Sequence, residues 1–336
     1  MKKLTEIQGR DVVEYTLTNK AGMKVTALNF GAVITGMHVP DGEGNLHNTV
    51  LAYDNPENYA DNSVFFGAAV GRTSGRTKDA QFELDGSVYE LAPNDGSNNL
   101  HGGKSGFTHR FFEVEQTENK LKFSYDSPDG EEGFPGNVAL TITYSLTERN
   151  ELHIDYAATT DKATPLNLTN HSYFNLGDGD ITDHTLQLSS DYFYELDEES
   201  IPVKKQSADN NPVFDFREPK KIKEALYAED PQIAIVQGGI DHPFELNSGL
   251  PAAILKNEQN DITLTIETDN SAIVVYTGNM LGEEIQANGR KLSRHSAVCL
   301  ETQHVPDDIP GIILRPEEKY EKRTTYRFTN TAGLSQ

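Results

Sequence analysis

The stretch Val138–Tyr156, VALTITYSLTERNELHIDY, decides the fold. Val138, Leu140, Ile142, Tyr144 and Leu146 alternate with polar residues, TERNE interrupts them, and Leu152, Ile154 and Tyr156 resume the alternation. Successive side chains of an extended chain point to opposite faces, so this period of two predicts two strands with one face buried, joined as a hairpin. The same grammar occurs in AQFELDGSVYEL (80–91), where Asp85-Gly86 supplies the backbone freedom of a tight turn. It occurs again in DVVEYTLTNKAGMKVTALNF (11–30), turning at Lys20-Ala21-Gly22. Further strands are expected at DITLTIET (261–268), SAIVVYTG (271–278) and KRTTYRFTN (322–330). EPKKIKEALYAED (218–230) is the best short helix candidate.

Many short strands separated by Gly, Asn and Asp turns predict an all-β protein, a large antiparallel β-sandwich or barrel with few short helices. No linker, composition shift or fixed-period repeat divides residues 1–336, so one domain is expected. With 336 residues and 36% hydrophobic content the chain can bury a large core. Its net charge of −23 repels phosphate backbones and anionic lipid, which argues against nucleic-acid and membrane partners and leaves neutral ligands untouched. The single cysteine, Cys299, excludes an intramolecular disulfide and fits a reducing, cytoplasmic setting. It lies in SAVCLETQ (296–303), where a buried, inert thiol is expected. The first residues, MKKLTEIQGRDVVEY, have no apolar signal-peptide core, and no window approaches 18 uncharged apolar residues. The sequons Asn167-Leu168-Thr169 and Asn170-His171-Ser172 are empty without secretion.

Four segments combine polar groups with unusual backbone demands. They are NNLHGGKSGF (98–107) with His101, NLTNHSYFNL (167–176) with His171, QGGIDHPFEL (237–246) with Asp241, and LETQHVPDDIPG (300–311) with Glu301. Gly102-Gly103 permits a sharp turn or a close approach to a ligand. Glu301 ends an apolar strand, where an unpaired carboxylate is costly, and His304 follows three residues on. Each also has a plain alternative: a turn residue for His101, a turn cap for Asp241, a core histidine for His171. If 170–176 is extended, His171 and Tyr173 share one side and Asn170, Ser172 and Phe174 the other. The acidic run ELDEES (195–200) reads as a solvated loop rather than a metal site.

Two histidines and two carboxylates could ligate zinc, but no His-Glu-x-x-His or cysteine pair occurs. A glycoside hydrolase would use Asp241 and Glu301 and leave the histidines unexplained. An acid and a base of different type suit a reaction that moves protons without a nucleophile. Phosphate-loop and dinucleotide signatures are missing, so nucleotide cofactors have no support.

Across essentially the whole chain, GAAVGRTSGR, NNLHGGKSGF, NLTNHSYFNL, GGIDHPFEL, VVYTGNML and HSAVCLETQHVPD resemble the aldose 1-epimerase (mutarotase) family in order and spacing. The resemblance implies an extended sandwich of the galactose mutarotase-like kind with a sugar in an open cleft, no metal and no cofactor. It implies an isomerase of carbohydrate metabolism that interconverts the α and β anomers of free aldohexoses such as galactose and glucose, as monomer or homodimer. His171 then matches the acid that protonates the ring oxygen, and Glu301 the base that takes the anomeric proton. Arg76, His101 and Asp241 match substrate-binding positions. Glu301 is expected ionised and His171 protonated, each favoured by the other's charge. Two departures stand out: Gly75 where the family often has Asn, and Val274 where it often has Gln. Both remove a hydrogen-bonding side chain, so a broad hydroxyl preference is expected. With no Trp, any sugar-stacking platform must be Phe or Tyr. A non-catalytic carbohydrate-binding protein would bind sugar without accelerating anomer exchange, and a lyase or hydrolase would release new chain ends.

Overall fold

In a computed structural model, which describes residues 1–41, 43–249 and 251–330, the deciding stretch is the hairpin its alternation predicts. Val138–Leu146 pairs antiparallel with Glu151–Thr160, from Val138 opposite Thr160 to Leu146 opposite Leu152. All eight of its alternating apolar side chains are buried. The turn closes where Thr147 N donates to Glu151 O at 2.9 Å, with Asn150 at φ +57°.

That hairpin is the heart of a nine-stranded antiparallel sheet. Its order is Glu113–Gln116, Lys120–Ser127, Val138–Leu146, Glu151–Thr160, Tyr320–Thr329, Thr263–Thr268, Ala253–Lys256, Thr185–Leu188 and Lys220–Lys221. A six-stranded antiparallel sheet has the order Tyr173–Phe174, Val298–Gln303, Ala272–Tyr276, Asp241–Glu245, Tyr192–Leu196, Pro202–Ser207. The two meet in one apolar cluster, in which Ile142, Ile154, Leu264 and Tyr326 come from the first sheet and Phe174, Phe244, Ile273 and Leu300 from the second. The architecture is therefore an all-β sandwich, stabilised mainly by burial of these alternate side chains. A five-stranded N-terminal sheet holds the expected hairpin Arg10–Thr18 and Lys24–Leu28. Gln81–Leu84 and Ser87–Glu90 form their own ribbon, with Asp85 and Gly86 both at positive φ as a tight hairpin turn requires.

Two expectations need correction. The helix over 218–230 shrinks to one turn, Ile222–Leu226, because Lys220–Lys221 is taken up as an edge strand against Thr185–Leu186. A second five-residue helix, Pro231–Ile235, begins where the Asp230 carboxylate accepts from Gln232 N at 2.7 Å. Likewise ELDEES is not all loop. Glu195 and Leu196 finish a strand, and only 197–200 turns, around an Asp197 Oδ1 that accepts from the amides of Glu199 and Ile201. Among the described residues no helix is long and apolar enough to cross a membrane.

Candidate active site

One face of the six-stranded sheet lines a solvent-open cleft of about 900 Å³. All five residues expected from the sequence line it: Arg76, His101, His171, Asp241 and Glu301.

Each is placed by local pairing. Arg76 and Leu100 face each other across a short two-stranded ladder, which brings the GRTSGR and NNLHGG segments together. Asp241 opens its strand opposite Tyr276, and Glu301 sits opposite Val274. Glu301 does not end its strand as expected. Val298–Gln303 runs two residues further, so Cys299, Glu301 and Gln303 share one face while Val298 and Leu300 enter the core. His171 lies where the chain changes partners: Thr169–Asn170 pairs with Ala69–Val70, and Tyr173–Phe174 with Val298 and Cys299. The backbone is held there by His171 N donating to Ala68 O at 2.9 Å and Gly67 N donating to His171 O at 3.0 Å. Asn170 braces the bend, its Oδ1 accepting from the Ser172 hydroxyl at 2.6 Å and its Nδ2 donating to Gly67 O at 2.9 Å. Tyr173 shares the cleft with His171 while Phe174 packs in the core, as the alternation predicts.

Glu301 Oε1 lies 3.5 Å from His171 Nε2, and both side chains are almost wholly buried. Glu301 Oε2 is buried without a protein partner, as is Nε2 of Gln303, whose Oε1 accepts from the Ser74 hydroxyl. Buried polar atoms are rarely left unpaired, so the two orphans mark where a ligand's polar groups belong. Burial drives His171 down to about 4. Burial likewise pushes Glu301 well above the usual carboxylate range, with Asp241 adding to the effect and Arg76 opposing it. Both shifts oppose the charged forms, so burial works against the expected pair of ionised Glu301 and protonated His171.

His101 has a fixed tautomer. Its Nδ1 accepts from Gly75 N at 3.1 Å, so Nε2 carries the proton. Burial first, then His171 and Arg76, hold it well below the ordinary histidine value, so it is a neutral donor. Its backbone is left-handed, φ +54°, a conformation that concentrates at functional sites. Gly102 beside it has φ +82°, and a Cβ there would lie 2.1 Å from Gly71 O, so the close approach is to backbone rather than to a ligand. Arg76 Nε donates to Asp95 Oδ2 at 2.7 Å, and its Nη1 lies 3.9 Å from Asp241 Oδ2. The first arginine of the motif, Arg72, is structural, buried and donating to the carbonyls of Ser127, Pro128 and Pro135.

The ligating atoms of His101, His171 and Glu301 all lie within 4.8 Å of one another, a spacing a metal ion could bridge. The donor set fits poorly. A metal needs the lone pair of His101 Nε2, yet the Gly75 amide keeps the proton on that nitrogen. The arrangement suits a polar organic ligand better, with donors from His101 and Arg76 and acceptors from Asp241 and Glu301.

Asp95, Gln303, Tyr276 and Phe65 line the cleft without having been singled out. Gln303 was reachable by period two from Glu301. Phe65 gave no local signal, although its ring stands 4.6 Å from that of His101 and 5.7 Å from that of His171. His304, by contrast, bonds Ser271 Oγ and Asp308 outside the cleft. Both departures from the resembled pattern line it: Val274 opposite Glu301, and Gly75 at φ +70°, where a Cβ would meet Pro306 Cγ at 2.5 Å.

The family model for aldose 1-epimerase matches residues 13–327. The chain is similar to the aldose 1-epimerase of Escherichia coli (strain K12), 35% identical over 328 residues, 93% of this chain and 94% of that one. It is also similar to the aldose 1-epimerase of Haemophilus influenzae, 39% identical over 299 residues, 87% of this chain and 86% of that one. Among solved structures, the galactose 1-epimerase of Lactobacillus acidophilus NCFM superposes with a TM-score of 0.89 at 33% identity, covering 98% of each chain.

Proposed function

The chain belongs to the aldose 1-epimerase family, and on that premise we propose that His171 and Glu301 are the acid and base with which it interconverts the α and β anomers of a free aldose. The observation that carries the assignment is the buried His171–Glu301 contact at 3.5 Å, with the second carboxylate oxygen unpartnered in the cleft.

Glu301 takes the proton from the anomeric O1 while His171 gives its Nε2 proton to the ring O5. The C1–O5 electron pair leaves with O5, and C1=O1 forms. Rotation about C1–C2 presents the other carbonyl face, O5 attacks C1, and both protons return. The closed sugar therefore pairs with ionised Glu301 and protonated His171, the open aldehyde with the neutral pair. Net charge is the same in both. Burial favours the neutral pair, so it brings the open-chain complex closer in energy to the closed one, as a ring-opening catalyst needs. On binding, sugar hydroxyls and Arg76 supply the solvation that burial takes from ionised Glu301.

His101 Nε2–H and Arg76 are placed to donate to sugar oxygens and Asp241 to accept from hydroxyls, with Gln303 as a further contact. The substrates proposed are neutral hexoses such as galactose and glucose, taken with broad preference because Val274 and Gly75 offer no hydrogen bond. One domain spanning the chain belongs to the same proposal, supported by the fact that one of its core clusters draws on residues from Leu17 to Phe328. So does a cytoplasmic setting, supported by a lone buried thiol.

Polarimetry on fresh α-galactose and α-glucose tests this directly. Glu301→Gln and His171→Asn should each slow equilibration by about 10²–10⁴-fold. Rates within error of the wild type would sink the assignment.

A further inference from the structure

The other ring nitrogen of His171 has an unusual neighbour. Nδ1 lies 3.5 Å from Sγ of Cys299, whose side chain is fully buried. Cys299 is held on both sides, opposite Tyr173 in one ladder and opposite Tyr276 in the next. The Tyr173 side chain hydrogen-bonds Sγ, and burial, with Glu301 and Asp241, keeps the thiol protonated. The backbone of His171 itself adds a hydrogen bond that favours the protonated ring.

We propose that Cys299, fixed by Tyr173, is the positioning residue for His171: its sulfur accepts from Nδ1–H throughout the cycle and leaves Nε2 as the nitrogen that moves the proton. This rests on His171 acting as the acid. The partner of Nδ1 is the sulfur, and in the inferred arrangement the Tyr173 side chain holds Sγ so that it accepts, which keeps the proton on Nδ1 whether the ring is neutral or cationic. Sulfur is a weak acceptor. A carboxylate in its place would stabilise the imidazolium and make the histidine a better base. A thiol holds the ring in line yet leaves the imidazolium little stabilised, and so strongly acidic. A sugar ring oxygen is a very weak base, so a strong acid is what protonating it requires. The other groups facing the ring are Glu301, His101, Tyr173, Tyr276 and Phe65, with Asp241 and Arg76 across the cleft. None of these reaches Nδ1 with a closer acceptor among the described contacts.

The test compares Cys299→Ser and Cys299→Ala by pH profiles of kcat and by nitrogen NMR of the resting enzyme. A serine oxygen is a better acceptor, so the acid limb should move up toward the ordinary histidine value, and kcat should fall because the stabilised imidazolium is a weaker acid. Alanine should lower kcat about fivefold, the worth of one neutral hydrogen bond, without that upward move. NMR should find the His171 proton on Nδ1. An acid limb unmoved by serine, or a proton on Nε2 in the resting enzyme, overturns the inference. His171→Asn in the same series separates the levels: full activity there rejects the acid assignment itself, whereas lost activity with an unmoved serine profile rejects only the role of Cys299.

Discussion

In the proposed mechanism His171 and Glu301 share one proton, and that sets how activity should depend on pH. The pair works while it holds a single proton. A second one leaves no base, and burial makes that second proton hard to add, since His171 is pushed down to about 4. Loss of the only proton is opposed in the same way, because burial raises Glu301 well above its ordinary value. These are properties of the coupled pair rather than of either residue. The kcat/KM profile for galactose should therefore stay on its plateau at pH 5.5 and fall only near pH 4, whereas an acid limb at about 6.5, the ordinary histidine value, contradicts the desolvated pair. The sequence could place these two residues, since motif and spacing mark them. It could not give their protonation, because desolvation depends on how much protein closes over the site, and no local pattern records that.

The strand Val298–Gln303 shows how one element serves core and site together. Val298 and Leu300 pack in the sandwich, while Glu301 and Gln303 line the cleft and Cys299, on the same face, is buried against Tyr173 and Tyr276. Leu300→Ala should cost about 2–5 kcal/mol in chemical denaturation, the usual effect of truncating a buried leucine, and a loss under 1 kcal/mol would mean that the strand is not anchored there. Its neighbour Ala272–Tyr276 sets Val274 beside Glu301. Val274→Gln adds a donor and an acceptor at that wall and should change the galactose-to-glucose ratio of kcat/KM by about tenfold, one good hydrogen bond to a hydroxyl. An unchanged ratio removes Val274 from hydroxyl selection. At this scale the sequence was most legible where alternation ran longest, as in Val138–Tyr156. It was least legible at two-residue strands such as Thr169–Asn170 and Tyr173–Phe174, whose pairing is set by distant partners. Lys220–Lys221 was lost to the helix expectation for the same reason: an edge strand recruited by tertiary contact overrides local propensity. Phe65 and Asp95 join the site from loops whose composition is ordinary, so only the folded chain reveals them.

Across the whole molecule, buried histidines couple stability to acidity. His184 and His242 are buried and depressed to about 4 and about 3. A group held neutral in the fold binds its proton more readily when unfolded, so the stability it gives is complete above about 6.5 and is lost as pH falls toward the folded value. At pH 5 each should have lost about 2 kcal/mol. His171 and His101 act in the same sense, while Glu301 and Asp241, both raised, act in the opposite sense and offset them. The urea midpoint should therefore fall between pH 7 and pH 5, and a midpoint that holds or rises contradicts buried, neutral His184 and His242. The net charge of −23 agrees with a neutral substrate in the cleft. In the proposed mechanism the whole fold contributes the meeting of two remote segments, 130 residues apart in the chain by the numbering of His171 and Glu301, in one desolvated pair. The most direct test of that pairing is polarimetric mutarotation of α-galactose by Glu301→Gln, His171→Asn and the double variant. Two groups that exchange one proton in a single step act as a unit, so the double variant should be no slower than the slower single variant. Losses that multiply, each variant costing its full factor independently of the other, would contradict the shared-proton mechanism.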